Sequence, residues 1–430
     1  MVKRAPDEDS ELPGGLQMSL IPEGVPNPLV PGATWTSHQF VADEVMDDQF
    51  RHHLSLMYYG MSDLGECLEV ARTLVPADEE SWMVSWTDMA RRLQDRAESS
   101  MARGKTVSAA SAYLRAATYW RASLMHFGFA NDPRVNANAR ASSHCYERSL
   151  DLSGYPGQYV QIPYEGSFLP GHFYRSPVAG PGLAPVLIFN QGRDAWPEDT
   201  RWVYDGAIRR GIHCLAFHGP GQGLAIRLNN LPFRHDWENV VTPVVDFVLG
   251  LEGVDAERIG LMGLSFGGYL APRAAAFEHR IKLCIADPGV LNWGDSIISN
   301  FPSQLTDAMQ SGPQAFNAAI AAAAAHSPTY SWFMRDASWT HGVATPYELI
   351  EALKLCDLTP FAHQIECETL IIDGTEEVFS TGQPRKLYDA LTCKKHFMLF
   401  DETSTAQLHC QNGANATAAE TMFDWLDERL

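Results

Sequence analysis

The sequence predicts an α/β protein built on a mostly parallel sheet with helices on both faces. Two observations carry this. From residue 184 onward, short unbroken apolar runs alternate with helical stretches, and a strand that is apolar throughout is one buried on both faces. One such run, residues 259–264, enters the turn Gly263-Leu264-Ser265-Phe266-Gly267, and an alanine-rich helix follows over about 269–277. A Gly-x-Ser-x-Gly turn between strand and helix lifts a serine hydroxyl above the edge of the sheet. The flanking glycines let strand and helix approach each other. The Phe266 amide, at the start of the helix, can face a developing oxyanion.

The elements follow in order. Residues 1–35 are rich in Pro, Gly and acidic side chains and read as an arm. Residues 36–150 read as a helical accessory or cap domain. Within it, 107–127 set Ala110, Tyr113, Leu114, Ala117, Trp120 and Leu124 on one stripe. The domain offers a second wall for the site, or a homodimer surface through its 107–127 stripe. No second copy of the pattern recurs at a fixed period, which argues against a solenoid. Residues 151–430 form the main α/β domain, with strands expected at 159–163, 166–174, 184–190, 212–217, 281–286, 369–373 and 395–400. Helices are expected at 196–210, 236–251 and 414–429. Residues 292–358 interrupt the alternation with helical, alanine-rich sequence carrying Trp293, Phe301, Tyr330, Trp332, Phe333 and Trp339. An aromatic insertion late in the sheet belongs above the catalytic edge, as a lid.

Composition excludes several functions. Lys and Arg number 32 against 52 Asp and Glu, a formal net charge of -20, and such a surface repels nucleic acid and anionic lipid. No signal-peptide pattern and no run long enough to span a bilayer is seen, so a cytoplasmic, membrane-free protein is expected. The eight cysteines form no CxxC pair, which argues for a reducing compartment and against a disulfide framework or a cysteine zinc site. No cofactor or metal is expected.

A serine hydroxyl is a weak nucleophile and needs a base that a third group orients. After Ser265 the candidate bases are His279, His326, His341, His363, His396 and His409. His409 is favoured because it falls in the loop between the last strand and the last helix, and the chain order of serine, acid and histidine suits this fold. The acid should follow the strand ending at Asp373-Gly374, where Glu377 is favoured, Glu376 and Asp373 are alternatives and Asp287 is an outsider. The second oxyanion donor should come from the loop Gln191-Gly192-Arg193-Asp194, from the amide of Arg193 or Asp194, although those two side chains could equally brace the loop as an ion pair. The glycine-rich His218-Gly219-Pro220-Gly221-Gln222-Gly223 lacks the Lys-Ser/Thr of a phosphate loop and reads as a tight turn beneath the site.

The elbow, the 190–194 loop, the 218–223 turn and the segment Tyr113-Leu114-Arg115-Ala116-Ala117-Thr118-Tyr119 together resemble the α/β-hydrolases typified by 2,6-dihydroxypseudooxynicotine hydrolase and the fungal yellowish-green pigment (heptaketide) hydrolases. The resemblance covers roughly 40–430. It implies an α/β-hydrolase fold, a triad at Ser265, Glu377 and His409 with glutamate in place of the usual aspartate, and cleavage of a C–C bond beside a carbonyl, or of an ester. The substrate implied is a small aromatic or polyketide-type ketone or ester. Acyl transfer or cyclisation by the same triad, and a non-catalytic binding protein, are the alternatives.

Overall fold

Five helices precede the first strand in the computed structural model, which describes residues 34–430. The arm expected over 1–35 lies, apart from its last two residues, outside the described residues. The helices are α1 (Glu44–Ser55), α2 (Leu64–Ala71), α3 (Glu79–Ala102), α4 (Thr106–Met125) and α5 (Pro133–Ser153). Four start on an aspartate: Asp43, Asp63, Asp78 and Asp132 each accept a hydrogen bond from a first-turn backbone N–H. Such a cap satisfies one of the donors every helix start leaves open, and is worth about 1 kcal/mol. The helices close on a core of Phe50, Trp82, Trp86 and Tyr119, and the Trp82 indole donates to the Ala122 carbonyl at 2.7 Å.

α4 is the centre of this group. From Ala109 to Met125 only Ser111 and Arg115 escape burial, because α3 and α5 pack on opposite sides of a helix thin in side chains at Ala109, Ala112, Ala116 and Ala117. The apolar stripe of 107–127 is therefore an internal face and not an outer one. Ala110, Tyr113, Leu114, Ala117, Trp120 and Leu124 are all buried within the chain.

The sheet comprises β1 (Gly157–Tyr164), β2 (Ser167–Tyr174), β3 (Ala184–Asn190), β4 (His213–Phe217), β5 (Val254–Leu264), β6 (Leu283–Asp287), β7 (Glu368–Gly374) and β8 (Lys395–Phe400). Its order is β1-β2-β4-β3-β5-β6-β7-β8, with β1 and β2 antiparallel to their neighbours and the other six strands parallel. Every residue of β3, β4 and β6 is buried, as strands sandwiched between helix layers must be. The connecting helices are α6 (Arg201–Ile208), α7 (Gly223–Asn229), α8 (Glu238–Leu249) and α9 (Gly267–Ala275). The helix expected at 196–210 starts only at Arg201, since Pro197 first opens a 3-10 turn, Pro197–Asp199. α7 is absent from the sequence reading because glycines crowd its start.

Between β6 and β7 the chain leaves the sheet for α10 (Trp293–Ile298), α11 (Ser303–Gln310), α12 (Pro313–His326), α13 (Pro328–Thr340) and α14 (Pro346–Lys354). α15 (Gln383–Ala390) and α16 (Asn415–Asp427) complete the fold. The N-terminal helices are fastened to the rest by groups that cannot be solvated. Arg121 of α4 meets Asp199 at 2.6 Å with both side chains 1% exposed, and the Tyr146 hydroxyl lies 2.8 Å from that of Tyr174 and 2.9 Å from that of Tyr204. Among the described residues no helix is long and apolar enough to cross a membrane.

Candidate active site

β5 stops at Leu264 and α9 starts at Gly267, so Ser265 and Phe266 make the whole turn. Ser265 sits at φ 58, a left-handed conformation costly for a residue with a Cβ. Its N–H donates to the Asp287 carbonyl at the end of β6, 2.7 Å away, which holds the strained residue in place. Gly263 is required here because a Cβ would stand 2.0 Å from the Gly267 carbonyl oxygen. The sharpness of the turn thus comes from strand and helix backbones in contact.

His409 reaches this turn from the far side. It opens a short 3-10 turn (His409–Gln411), in which Cys410 and Gln411 take positive φ, and its Nε2 lies 2.9 Å from Ser265 Oγ. Its Nδ1 lies 2.6 Å from Glu377 Oε2. The choice among the neighbouring carboxylates follows from backbone pairing. Glu376 and Leu408 form a parallel bridge, and along extended chain successive side chains alternate sides. Glu377 and His409, one residue on, therefore share the opposite side. Glu376 is exposed and makes only a 3.5 Å contact with Gln407. Asp373 turns back to the Gly374 amide at 2.9 Å, and Asp287 accepts from Gln411 Nε2 at 3.1 Å.

Electrostatics separate these acids. Burial works against the Glu377 carboxylate, yet His409 and the amides of Phe379 (2.7 Å) and Ser380 (2.9 Å) hold its pKa below the usual glutamate value. His409 lies well above the ordinary histidine range. Burial opposes that shift, and Cys410 and Glu377 drive it. Burial pushes the Cys410 thiol up to about 11, so it is uncharged at neutral pH and the carboxylate supplies the attraction. Burial also raises Asp287 to about 7 and Asp373 to about 6.

The other histidines lie elsewhere. His396 pairs with Glu368 at 2.7 Å, and His279 faces Glu366 at 3.7 Å on the surface. His326 and His363 are exposed, and His341 of the inserted segment bonds the Ala337 carbonyl, its pKa depressed by burial to about 4.

The 191–194 loop abuts the elbow. A Cβ on Gly192 would lie 2.6 Å from Ser265 Cβ and 2.8 Å from the Phe266 nitrogen, so the loop backbone is as near as chain can come. Neither the Phe266 nor the Arg193 amide donates to another group among the described residues. The side chains of Arg193 and Asp194 do form an ion pair, at 3.2 Å, and Arg193 also binds Asp336 of α13 while lying over Phe333 at 4.7 Å. The brace expected within the loop thus extends into the insertion.

The alpha/beta hydrolase family model matches residues 168–394. A 20-hydroxy-prefusarin hydrolase, FUS2, of Gibberella moniliformis is 33% identical over 411 residues, covering 91% of this chain and 97% of that protein. This chain is an α/β-hydrolase. Hydrolase LUC6 of a Fusarium species is 31% identical over 91% of this chain and 98% of its own length. Among solved structures, 2,6-dihydroxy-pseudo-oxynicotine hydrolase superposes with a TM-score of 0.69 at 20% identity, covering 88% of this chain and 95% of that one, a likeness of fold.

Two contributions to this hydrolase's site leave no sequence signal. Asp336 lies 143 residues from Arg193, and Asn412, which binds Asp48 of α1 at 3.1 Å, anchors the histidine loop to a helix 364 residues earlier. The insertion brings Trp293 to within 4.9 Å of the Phe266 ring, while Trp332 stacks on His126 at 4.3 Å and so spends its face on the N-terminal helices.

Proposed function

We propose that this α/β-hydrolase uses Ser265 as nucleophile, His409 as general base and acid, and Glu377 as the orienting carboxylate, to cleave an ester or a C–C bond beside a carbonyl in an aromatic or polyketide-type metabolite. The observation that carries the reading is the continuous path Ser265–His409–Glu377, at 2.9 and 2.6 Å, on a strained turn. Glu377 accepts the Nδ1–H, leaving Nε2 free to take the serine proton. Ser265 Oγ adds to the carbonyl carbon, and the oxyanion falls to the Phe266 amide and the 192–194 loop. When the tetrahedral intermediate collapses, the bond to the leaving oxygen or carbon breaks with its electron pair, and His409 returns the proton to that atom. Water, deprotonated by His409, then attacks the acyl-enzyme and restores Ser265.

Cleaving a C–C bond expels a carbanion, so the substrate must hold its own electron sink, such as a β-carbonyl or a phenol. The similarity to a hydrolase named for 20-hydroxy-prefusarin favours a small metabolite as substrate. The aromatic insertion supplies large rigid apolar surface above Phe266 and supports its reading as a lid.

Incubation with a panel of β-diketones and aryl esters tests the reaction, and intact mass after a fluorophosphonate tests the nucleophile. One phosphonyl adduct on wild-type protein, none on Ser265→Ala, and loss of turnover in that variant are expected. Full activity in Ser265→Ala would refute the covalent mechanism.

A further inference from the structure

The turn His218-Gly219-Pro220-Gly221-Gln222-Gly223 carries two buried polar side chains that the mechanism above does not use, His218, which pairs with Glu198 at 3.0 Å, and Gln222. Gln222 is wholly buried. Its Oε1 accepts from the Gly219 amide of the same turn at 2.9 Å, which leaves its Nε2 hydrogens facing outward. They donate to two successive carbonyls of the loop after β3, that of Gln191 and that of Gly192, the latter at 2.9 Å. Reversing the amide would set Oε1 against two carbonyl oxygens and the NH2 against an N–H, so the donors fix its orientation.

We infer that Gln222 is a positioning residue that aims the Arg193 amide into the oxyanion site, an inference that rests on the nucleophilic role proposed for Ser265. The C=O and N–H of a trans peptide point in opposite directions. Holding the Gly192 carbonyl on the Gln222 side therefore turns the Arg193 N–H, in the same peptide, the other way. The Gln222 bond to the Gln191 carbonyl likewise turns the Gly192 N–H away, and that hydrogen is taken by Gln191 Oε1 at 3.1 Å. Of the two amides that Gln222 turns, that of Arg193 stays without a partner, as does the next one, of Asp194, in a loop whose Gly192 has no room for a Cβ between itself and Ser265. Without Gln222 the Gly192 carbonyl would be buried without a donor, the Gln191 carbonyl would keep only the 3.4 Å contact from Asn190 Nδ2, and the peptide could rotate to find others. An oxyanion donor is useful only when fixed before the reaction. The glycine-rich turn is thus the mount of one side of the oxyanion hole.

The test uses the full-length protein. Gln222→Met keeps length and burial but has no donor, and Gln222→Glu keeps the shape while facing carbonyls with a carboxylate. Val248→Ala, a cavity under α8, serves as a variant weakened without touching the turn. Turnover of a p-nitrophenyl ester and the first-order constant for fluorophosphonate labelling of Ser265 are compared at equal distance below each melting temperature. Removing one oxyanion donor costs about 10²–10³ in kcat, and that loss is expected in both Gln222 variants. KM should stay within about threefold, because the lost interaction exists only in the transition state. Val248→Ala should track wild type.

If Gln222→Met keeps kcat within about threefold, or loses kcat only as Val248→Ala does, the inference falls while an inactive Ser265→Ala leaves the triad standing. Full activity in Ser265→Ala would remove both. Should the Gln222 variants not fold, wild-type protein labelled with 15N-arginine decides. The Arg193 amide resonance, assigned by its loss in Arg193→Lys, must shift when Ser265 is phosphonylated, and no shift overturns the inference.

Discussion

Replacing Glu377 by glutamine separates orientation from mere presence in the proposed triad. The carboxylate accepts three hydrogen bonds: from His409 Nδ1 at 2.6 Å, from the Phe379 amide at 2.7 Å and from the Ser380 amide at 2.9 Å. A glutamine must direct its NH2 either at two backbone N–H groups, which repel it, or at His409. The second choice keeps both backbone bonds, so the melting temperature should change little. It makes Nδ1 an acceptor and moves the imidazole proton to Nε2, the atom 2.9 Å from Ser265 Oγ, which can then no longer take the serine proton. The corresponding tautomer defect in serine proteases costs about 10⁴ in turnover, or about 5.4 kcal/mol of barrier. Turnover of an aryl ester should fall on that scale, whereas Glu376→Gln and Asp373→Asn should stay within about tenfold, since neither carboxylate contacts His409. The pH profile gives a second reading. His409 must be neutral to act as base, and its pKa lies well above 6.5, so wild-type activity should rise as pH climbs through that raised value. With the carboxylate charge gone, the imidazole loses one of the two influences that hold its pKa up while burial still lowers it, and the residual activity should rise at lower pH. Near-wild-type turnover in Glu377→Gln, or an unmoved acid limb, would refute the assignment of this acid.

Three further outcomes follow from the same contacts. Gly192→Ala sets a methyl 2.6 Å from Ser265 Cβ and 2.8 Å from the Leu264 carbonyl, so the loop or the nucleophile must move, and a loss of about 10² in kcat/KM is expected in ester assays. Asp199→Ala leaves the Arg121 guanidinium, 1% exposed, without its counter-ion, and should cost about 3–5 kcal/mol in urea unfolding. Asp287→Asn tests linkage. Because the folded pKa of about 7 exceeds the ordinary 3.8, the native state keeps a proton the unfolded chain has released, so stability from this group is present below 3.8 and lost as pH rises towards 7. Melting temperatures across that window should decline less steeply in Asp287→Asn than in wild type, and parallel curves would contradict the burial argument.

The sheet was legible because its signal is local. β3 and β8 fall where apolar runs predict them, the ends of β1, β2, β4, β6 and β7 move by at most two residues, and β5 starts five residues before its apolar run. The misses have local causes too. Pro197 delays α6, and three glycines hide α7, whose N-terminal residue Gly223 takes φ 37 and has no room for a Cβ against the His218 ring. The stripe on α4 misled for a different reason. Periodicity marks an apolar face but not how many neighbours bury it, and alanines on the remaining faces permit helices on both sides.

At the site, the residues that chain order can rank were nameable, while the contacts joining them were not. Ser265 announces itself through its turn and His409 through its loop, but the parallel bridge between Glu376 and Leu408 decides which carboxylate faces the imidazole, and a bridge across 32 residues has no periodic trace. The same holds for Arg193. Its sequence neighbour Asp194 suggests a local brace, and that pair exists at 3.2 Å, yet the buried partner is Asp336. Burial raises the Asp336 pKa to about 6, with Arg193 opposing the shift, so the carboxylate is charged and the pair intact at neutral pH. The consequence is mechanical. The loop proposed to bind the oxyanion is held from below by Gln222 and from above by the insertion, so movement of α13 is transmitted to the Arg193 backbone through a side chain that is 8% exposed. A substrate that displaced α13 would therefore act on the proposed oxyanion loop through the Asp336–Arg193 pair.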